Sequence, residues 1–185
     1  MSPRASFPMC RCLHRCCLSF LLGLGLALAP GSARAADPAA ANKQIVWEAF
    51  TALDRQDDAR IRALLPEDAA IQIAGMPEPL KREELLAFLR EYWRAFPDTA
   101  HTLHLILAEG DWVSVRVTCE GTQRGDYEGV PASGRRIAYE GVHFMRMEKG
   151  LIREWWVLED SLGMMRQLGM RLVPARAPEP PEKGK

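Results

Sequence analysis

The stretch Val142-His-Phe-Met-Arg-Met-Glu-Lys-Gly-Leu-Ile-Arg-Glu-Trp-Trp-Val157 has the pattern of two β-strands joined by a two-residue turn at Lys149-Gly150. It ends a series of four strand-like runs, near residues 101–109, 112–122, 136–147 and 151–159, which are separated by turns that contain glycine. Because consecutive strands joined by short turns cannot be parallel, the series predicts an antiparallel meander.

Helical periodicity dominates the residues before this meander. Apolar residues recur at helical spacing over 39–56, 57–65 and 81–96, a short strand is predicted at 69–75, and a last helix at about 161–169. Helices followed by a meander indicate an α+β fold. We predict a cone-shaped barrel, in which N-terminal helices cover the concave face of a strongly curved, mostly antiparallel sheet and a pocket forms at the open end.

The charge balance argues against a nucleic-acid partner. The chain has 185 residues with 24 Lys and Arg against 24 Asp and Glu, and its first 35 residues hold four arginines and no acidic residue. The remaining 150 residues therefore carry about −4, whereas binding to a polyanion needs an excess of positive charge.

The N-terminal segment has the three-part layout of a cleaved secretory signal. Basic residues up to Arg15 precede an apolar run, 16–29, and the small-residue triplet Ala33-Arg34-Ala35 follows. A membrane anchor is the alternative, but it would need about 20 apolar residues. We expect a signal peptide at 1–35, one domain at 36–173, a Pro- and charge-rich tail at 174–185, and an exported protein, periplasmic or secreted, that keeps no membrane attachment.

No motif typical of metal, phosphate or dinucleotide binding occurs. His101 and His104 are three residues apart and fall on opposite faces of a regular strand, so we expect no metal site there. Cys119 shares the parity of neighbouring valines and is expected to be a small core residue.

The hairpin register predicts which side chains meet. If Glu148 pairs with Leu151, one face holds three facing pairs: Met145 with Glu154, His143 with Trp156, and Tyr139 with Asp160. This face mixes aromatic with titratable groups, so we expect it to line the pocket. The other face would hold Val142, Phe144, Trp155 and Val157, as a core layer or a dimer surface; a slip of one residue would exchange the two faces.

Such a cluster suits proton transfer. A carboxylate next to aromatic surface loses hydration, which raises its pKa, and a neighbouring donor can stabilise an enolate oxygen. Asp160 would be the base and His143 or Tyr139 the donor. Asp160 also directly precedes a helix, so capping that helix is an equal alternative.

Four further residues are candidates for substrate binding: Trp156, Glu154, Arg116 and Met145. Glu154 has an alternative as a solvated partner of Arg153 or Arg146, and Arg116 points either to the pocket or to solvent.

Several short motifs, in this order, resemble the SnoaL-like polyketide cyclase and ester cyclase group of the nuclear transport factor 2-like superfamily. They are Phe96-Pro97-Asp98, Gly110 to Arg116, Gly121-Thr122, the turn 129–136, Gly150 to Trp156, Asp160-Ser-Leu-Gly163 and Gln167-Leu-Gly169. The resemblance covers roughly residues 40–170.

The resemblance implies a cone-shaped α+β barrel that forms a homodimer and uses no cofactor. It also implies an aldol cyclase in which an Asp near the end of the last strand removes a C–H proton; the matching position is Asp160. The chain departs from the group at Gln123, where a His is usual, and at Pro131-Ala132-Ser133-Gly134, where the turn is usually Pro-Pro-Thr-Gly.

We therefore expect an exported protein that performs cofactor-free acid-base chemistry, an aldol cyclisation or isomerisation through an enolate, on a small apolar carbonyl or polyketide-like compound. A non-catalytic periplasmic module that binds a small molecule is the alternative. An interaction subunit that uses the face around Phe144 and Trp155 is a third.

Overall fold

The computed structural model describes residues 37–171 and 173. The predicted signal peptide and the predicted tail lie outside these described residues. Within them the order of elements is α1 (Pro38–Asp54), α2 (Asp58–Leu64), β1 (Ala70–Ile73), α3 (Arg82–Ala95), β2 (Ala100–Glu109), β3 (Trp112–Thr122), β4 (Arg136–Glu148), β5 (Leu151–Glu159) and α4 (Ser161–Gln167). Every predicted helix and strand is present, with its ends within a few residues of the prediction.

The helices begin and end where the sequence supplies caps and breakers. Asp37 and Asp57 accept hydrogen bonds from backbone N–H groups of the first turns of α1 and α2. Proline follows the last residues of α2 and α3, at Pro66 and Pro97, and cannot continue a helix.

The five strands of the described chain form one curved, unclosed sheet in the order β1-β5-β4-β3-β2. Pairs β2–β3, β3–β4 and β4–β5 are antiparallel, whereas β1 runs parallel to β5. The predicted α+β class and mostly antiparallel sheet are confirmed, and the first short strand makes the sheet mixed.

The inner face of the sheet and the helices α1 to α3 share one core. Val113, Val115 and Val117 point inward from β3 and are fully buried together with Phe50 of α1 and Phe96 at the end of α3. Burial of apolar surface of this kind is the main stabilising contribution to the fold. No helix within the part of the chain described above has the length and apolar character that crossing a membrane requires.

The β4–β5 hairpin begins as predicted and then changes register. Glu148 pairs with Leu151 across the turn, in which Lys149 and Gly150 both have positive φ (52° and 79°). Arg153 has no partner in β4: Met147 pairs with Ile152, but Arg146 pairs with Glu154. This β-bulge exchanges the two faces of the rest of β5.

The predicted pairing is therefore wrong beyond the bulge. His143 lies opposite Val157, and Phe144 lies opposite Trp156. Arg153 forms a bidentate ion pair with Asp68 (2.6 and 2.9 Å). This pair holds the bulged residue close to the start of β1.

Candidate active site

A cavity of about 420 Å³ lies between the inner face of the sheet and the helices α3 and α4. Its wall is mainly apolar and aromatic, and a few polar groups converge on it, as is usual for small-molecule sites of this size. The polar and titratable lining residues are Tyr92, Thr99, His101, Tyr127, Glu128, Tyr139, His143, Glu159 and Ser161.

His143 and Glu159 lie next to each other in this wall. His143 is 3 % exposed, and its Nδ1 accepts a hydrogen bond of 2.9 Å from the indole N–H of Trp155. Because an indole nitrogen can only donate, Nδ1 carries no proton; the ring is neutral and its proton sits on Nε2.

The Nε2–H group of His143 is a buried hydrogen-bond donor that has no acceptor among the described residues. Glu159 Oε1 lies 3.3 Å away, which is ion-pair distance, yet the angles do not make a hydrogen bond. Among the described residues, His143 Nε2 is the one buried side-chain nitrogen or oxygen without a hydrogen-bond partner. Such an atom is costly in a folded core, so it is best explained by a ligand that accepts a hydrogen bond from it.

Three tyrosines, Tyr92, Tyr127 and Tyr139, also line the cavity. The hydroxyls of Tyr92 and Tyr139 hydrogen-bond to each other (3.0 Å), and the Tyr92 hydroxyl also contacts the Cys119 thiol (3.4 Å). Burial, followed by the Glu159 carboxylate, raises the pKa of Tyr139, and burial together with Cys119 raises that of Tyr92. Burial also raises the pKa of Tyr127 to about 12. These phenols therefore stay protonated and can donate hydrogen bonds but not act as bases.

His101 reaches the same cavity from β2 and is held from behind by Asp54 of α1. Asp54 accepts from the ring Nδ1 of His101 (2.5 Å) and from its backbone N–H (3.3 Å). Burial alone would lower the pKa of His101, but the hydrogen bond to Asp54, with further contributions from Cys119, raises it to about 10. The ring is therefore an imidazolium at neutral pH.

Three of the predicted site residues lie on the inner face. Tyr139 and His143 line the cavity, as the sequence predicted. Met145 is fully buried in the core next to Trp155 but does not border the cavity.

The expectation that Trp156, Glu154 and Arg116 face the pocket is wrong, because the bulge turns β5 over and β3 points Arg116 outward. Trp156 is exposed on the outer face. Glu154 pairs with Arg146 (2.7 Å) and Arg116 with Glu140 (3.1 Å), both on that face. The alternatives of a solvated strand charge and a solvent-facing arginine are the ones observed.

Asp160 also lies outside the cavity lining, contrary to the predicted geometry. It is exposed, and its Oδ1 accepts a hydrogen bond of 2.8 Å from Gly163 N at the start of α4. The capping alternative therefore describes its contacts, and the preceding residue, Glu159, occupies the inward position.

Sequence reasoning missed Glu159, Trp155 and the Asp54–His101 pair. Gly141 was the available signal for Glu159, since an isolated glycine inside a strand often marks the close approach of another group. Nothing in the sequence pattern indicated the pair, whose members are 47 residues apart.

Gln123 has a structural role at the position where the group usually has His. It is fully buried, donates to Val130 O (3.0 Å) and accepts from the Ser133 hydroxyl (2.6 Å). The side chain thereby ties the end of β3 to Val130 and Ser133 in the connection to β4. Within the described ranges, no cluster of three or more His, Cys, Asp or Glu side chains has the geometry of a metal site.

A curved sheet with helices across its inner face and a mainly apolar cavity between them is the arrangement of the nuclear transport factor 2-like fold. Comparison with known proteins narrows this class. Residues 44–168 match the SnoaL-like polyketide cyclase family, and the chain belongs to that family.

Curated proteins named as methyl ester cyclases match a part of the chain. Aklanonic acid methyl ester cyclase DnrD of Streptomyces peucetius is 38% identical over 76 residues, which cover 40% of this chain and 52% of DnrD. Nogalonic acid methyl ester cyclase of Streptomyces nogalater is 38% identical over 60 residues, 32% of this chain and 45% of that protein. The chain thus spans about half the length of the curated relatives it matches.

Solved structures share the fold over most of the chain. IdmH from Streptomyces antibioticus is 28% identical with a TM-score of 0.63, covering 70% of this chain and 99% of IdmH. The SnoaL-like protein of Jannaschia sp. CCS1 is 22% identical with a TM-score of 0.68, covering 74% and 97%, and is a likeness of fold alone.

Proposed function

We propose that the protein is an acid-base enzyme that forms and uses an enolate of a small, mostly apolar carbonyl or polyketide-like compound, without a cofactor. The observation that carries this proposal is the unpartnered Nε2 donor of His143, buried in the cavity wall 3.3 Å from the Glu159 carboxylate. A donor and a base side by side are what enolisation requires. The relatives named as methyl ester cyclases support the cyclase class.

In the proposed reaction the Glu159 carboxylate removes a proton from the carbon next to a carbonyl, and the electron pair moves onto the carbonyl oxygen. His143 Nε2–H donates a hydrogen bond to that oxygen. In a cyclisation, the enolate carbon then attacks a second carbonyl of the same molecule; a C–C bond forms, and the resulting alkoxide takes the proton back from Glu159. In an isomerisation, the proton returns to a different carbon.

Glu159 and its neighbour Asp160 allow the assignment of the base to be tested with a matched control. Proton exchange at the α-carbon of β-keto esters in D₂O, followed by NMR, reports enolisation even when the natural substrate is unknown. Glu159→Gln should slow enzyme-dependent exchange about a hundredfold or more, the range expected for loss of a general base. Asp160→Asn should leave exchange near the level of the unmodified protein. The reverse order, with Asp160→Asn inactive and Glu159→Gln active, would contradict the assignment of the base.

A non-catalytic binding module remains a second candidate, because Asp160, at the family's catalytic position, caps a helix outside the cavity lining. Native mass spectrometry of gently purified protein separates the two. A retained, chemically unchanged ligand together with no enolisation of any keto ester favours binding, whereas a bound product that differs from the supplied compound favours turnover.

We also propose that the protein is exported and works as a homodimer. The basic, apolar and small-residue order of the first 35 residues supports export. Mass spectrometry of the protein recovered from culture fractions tests it: a mature chain that begins at Ala36 in the exported fraction supports the proposal, and a full-length chain kept inside the cell contradicts it.

A further inference from the structure

The Asp54–His101 pair places a positive charge on an otherwise apolar or acidic cavity wall. Among the described residues that line the cavity there is no lysine or arginine, and the two carboxylates are Glu128 and Glu159. His101 is therefore the cationic group available to a ligand in this cavity.

The counter-charge of the pair lies away from the cavity, whereas His101 itself borders it. The Asp54 carboxylate accepts hydrogen bonds from the backbone N–H and from ring Nδ1 of His101, and Asp54 itself does not line the cavity. Imidazole geometry directs the other ring nitrogen, Nε2, away from the atom that Asp54 holds. Cys119, which also interacts with the ring, does not line the cavity either. An anion bound in the cavity would therefore meet the cationic ring without lying next to the Asp54 carboxylate.

The surroundings of the ring strengthen such a contact. Phe50 packs edge-on against His101 (centroids 5.3 Å apart) and also against His143 (5.2 Å), so the two imidazoles flank one phenyl ring on the same wall. The His101 side chain is 9 % exposed. In such a poorly hydrated site a charged hydrogen bond is stronger than in water. Asp54 from α1 and Cys119 from β3 are the titratable groups that face the ring.

We propose that His101, positioned by Asp54, is an oxyanion-binding residue, so that the ligand of this cavity carries a carboxylate or another negatively charged oxygen beside its apolar body. The inference rests on the proposal that the cavity takes a small molecule, but it does not depend on turnover.

Two fluorescent probes that differ by one charge separate these claims. N-phenyl-1-naphthylamine is neutral, and 1-anilinonaphthalene-8-sulfonate is the same body with a sulfonate. Binding of the neutral probe tests the cavity. A tighter Kd for the sulfonate tests His101. The unmodified protein should prefer the sulfonate, and His101→Gln should weaken sulfonate binding about tenfold or more while leaving the neutral probe nearly unchanged. His104→Gln, on the outer side of the same strand, is the matched control.

The pH dependence gives a readout that a purely structural pair would not move. The sulfonate preference of the unmodified protein should stay constant from pH 6 to 8, because the His101 pKa, about 10, lies above this range. In Asp54→Asn the ring loses its counter-charge, so the preference should disappear as pH rises through the ordinary histidine range near 6.5. The proposal would be overturned if the neutral probe bound without any preference for the sulfonate, or if the preference survived in His101→Gln. The pair would then serve only to hold α1 against β2.

Discussion

Glu159 lies directly opposite Gly141 on the neighbouring strand, and the absence of a side chain at Gly141 is what gives Glu159 its place. A Cβ added at Gly141 would stand 2.8 Å from Glu159 Cγ and 3.4 Å from His143 Nε2. The first distance is shorter than van der Waals contact allows, so any side chain here would displace the carboxylate from the histidine.

Gly141→Ala is therefore expected to reduce enolisation about ten- to a hundredfold, since small displacements of a catalytic group have effects of this size. Gly141 does not have a positive φ, so its own backbone conformation suits alanine, although the added Cβ would also lie 3.2 Å from the backbone oxygen of Leu158. The α-proton exchange assay measures the loss. Val142→Ala, a neighbouring substitution on the outer face, is the control and should keep full exchange. Normal exchange in Gly141→Ala would mean that Glu159 need not lie beside His143.

Asp160 is expected to matter for stability more than for chemistry. Asp160→Ala removes the side-chain acceptor of Gly163 N and should lower the free energy of unfolding by about 1 kcal/mol, the usual cost of losing an N-cap. Asp160→Asn keeps an oxygen acceptor and should cost only a few tenths. Urea unfolding of the two variants checks the difference. Equal, negligible losses would show that the cap does not hold the α4 terminus in solution.

The fold was predictable because its signals are local. Helix α3 was predicted over 81–96 and spans Arg82–Ala95, since an apolar stripe and a terminal proline both report on nearby residues. The two-residue turn at Lys149-Gly150 was predictable for the same reason.

The site was only half predictable because it depends on one bulge. Counting outward from the turn placed Tyr139 and His143 correctly, as both lie on β4, which the bulge does not interrupt. On β5 the skipped residue, Arg153, exchanges inside for outside. Trp155 and Trp156 are the same residue type, so hydrophobicity could not reveal the exchange. The ion pair that fixes Arg153 involves Asp68, which is 85 residues away in sequence.

The His101–Asp54 pair should give the protein a recognisable dependence of stability on pH. The pKa of His101 in the folded protein, about 10, lies above its ordinary value near 6.5. The fold therefore favours the charged ring; this contribution is fully present below about pH 6.5 and is lost as pH rises through about 10.

Asp54→Asn should accordingly lower the free energy of unfolding by about 1.5–3 kcal/mol at pH 6, the range for a hydrogen bond to a charged group. The difference from the unmodified protein should shrink as pH is raised to 9.5, which denaturant unfolding at several pH values measures. Cys119→Ala controls for ionisation of the neighbouring thiol. A difference that stays constant with pH would contradict a charged His101.

The outer face of the sheet carries an apolar surface that we expect a second copy of the chain to cover. Leu105 and Leu107 of β2 are exposed on this side but are separated from β4 by Arg116 and Ser114 of β3. Phe144 pairs with Trp156 and Val142 with Leu158 across β4 and β5, and these four exposed side chains adjoin one another. A contiguous apolar area of this kind on a folded protein usually marks an interface.

Sedimentation should therefore give a dimer at micromolar concentration. Phe144→Glu should shift it to monomer by burying an unpaired charge, without lowering the melting temperature of the monomer fold. Trp47→Glu, which changes an exposed aromatic on α1, should remain dimeric. A dimer that persists in both Phe144→Glu and Trp156→Glu would place the interface elsewhere.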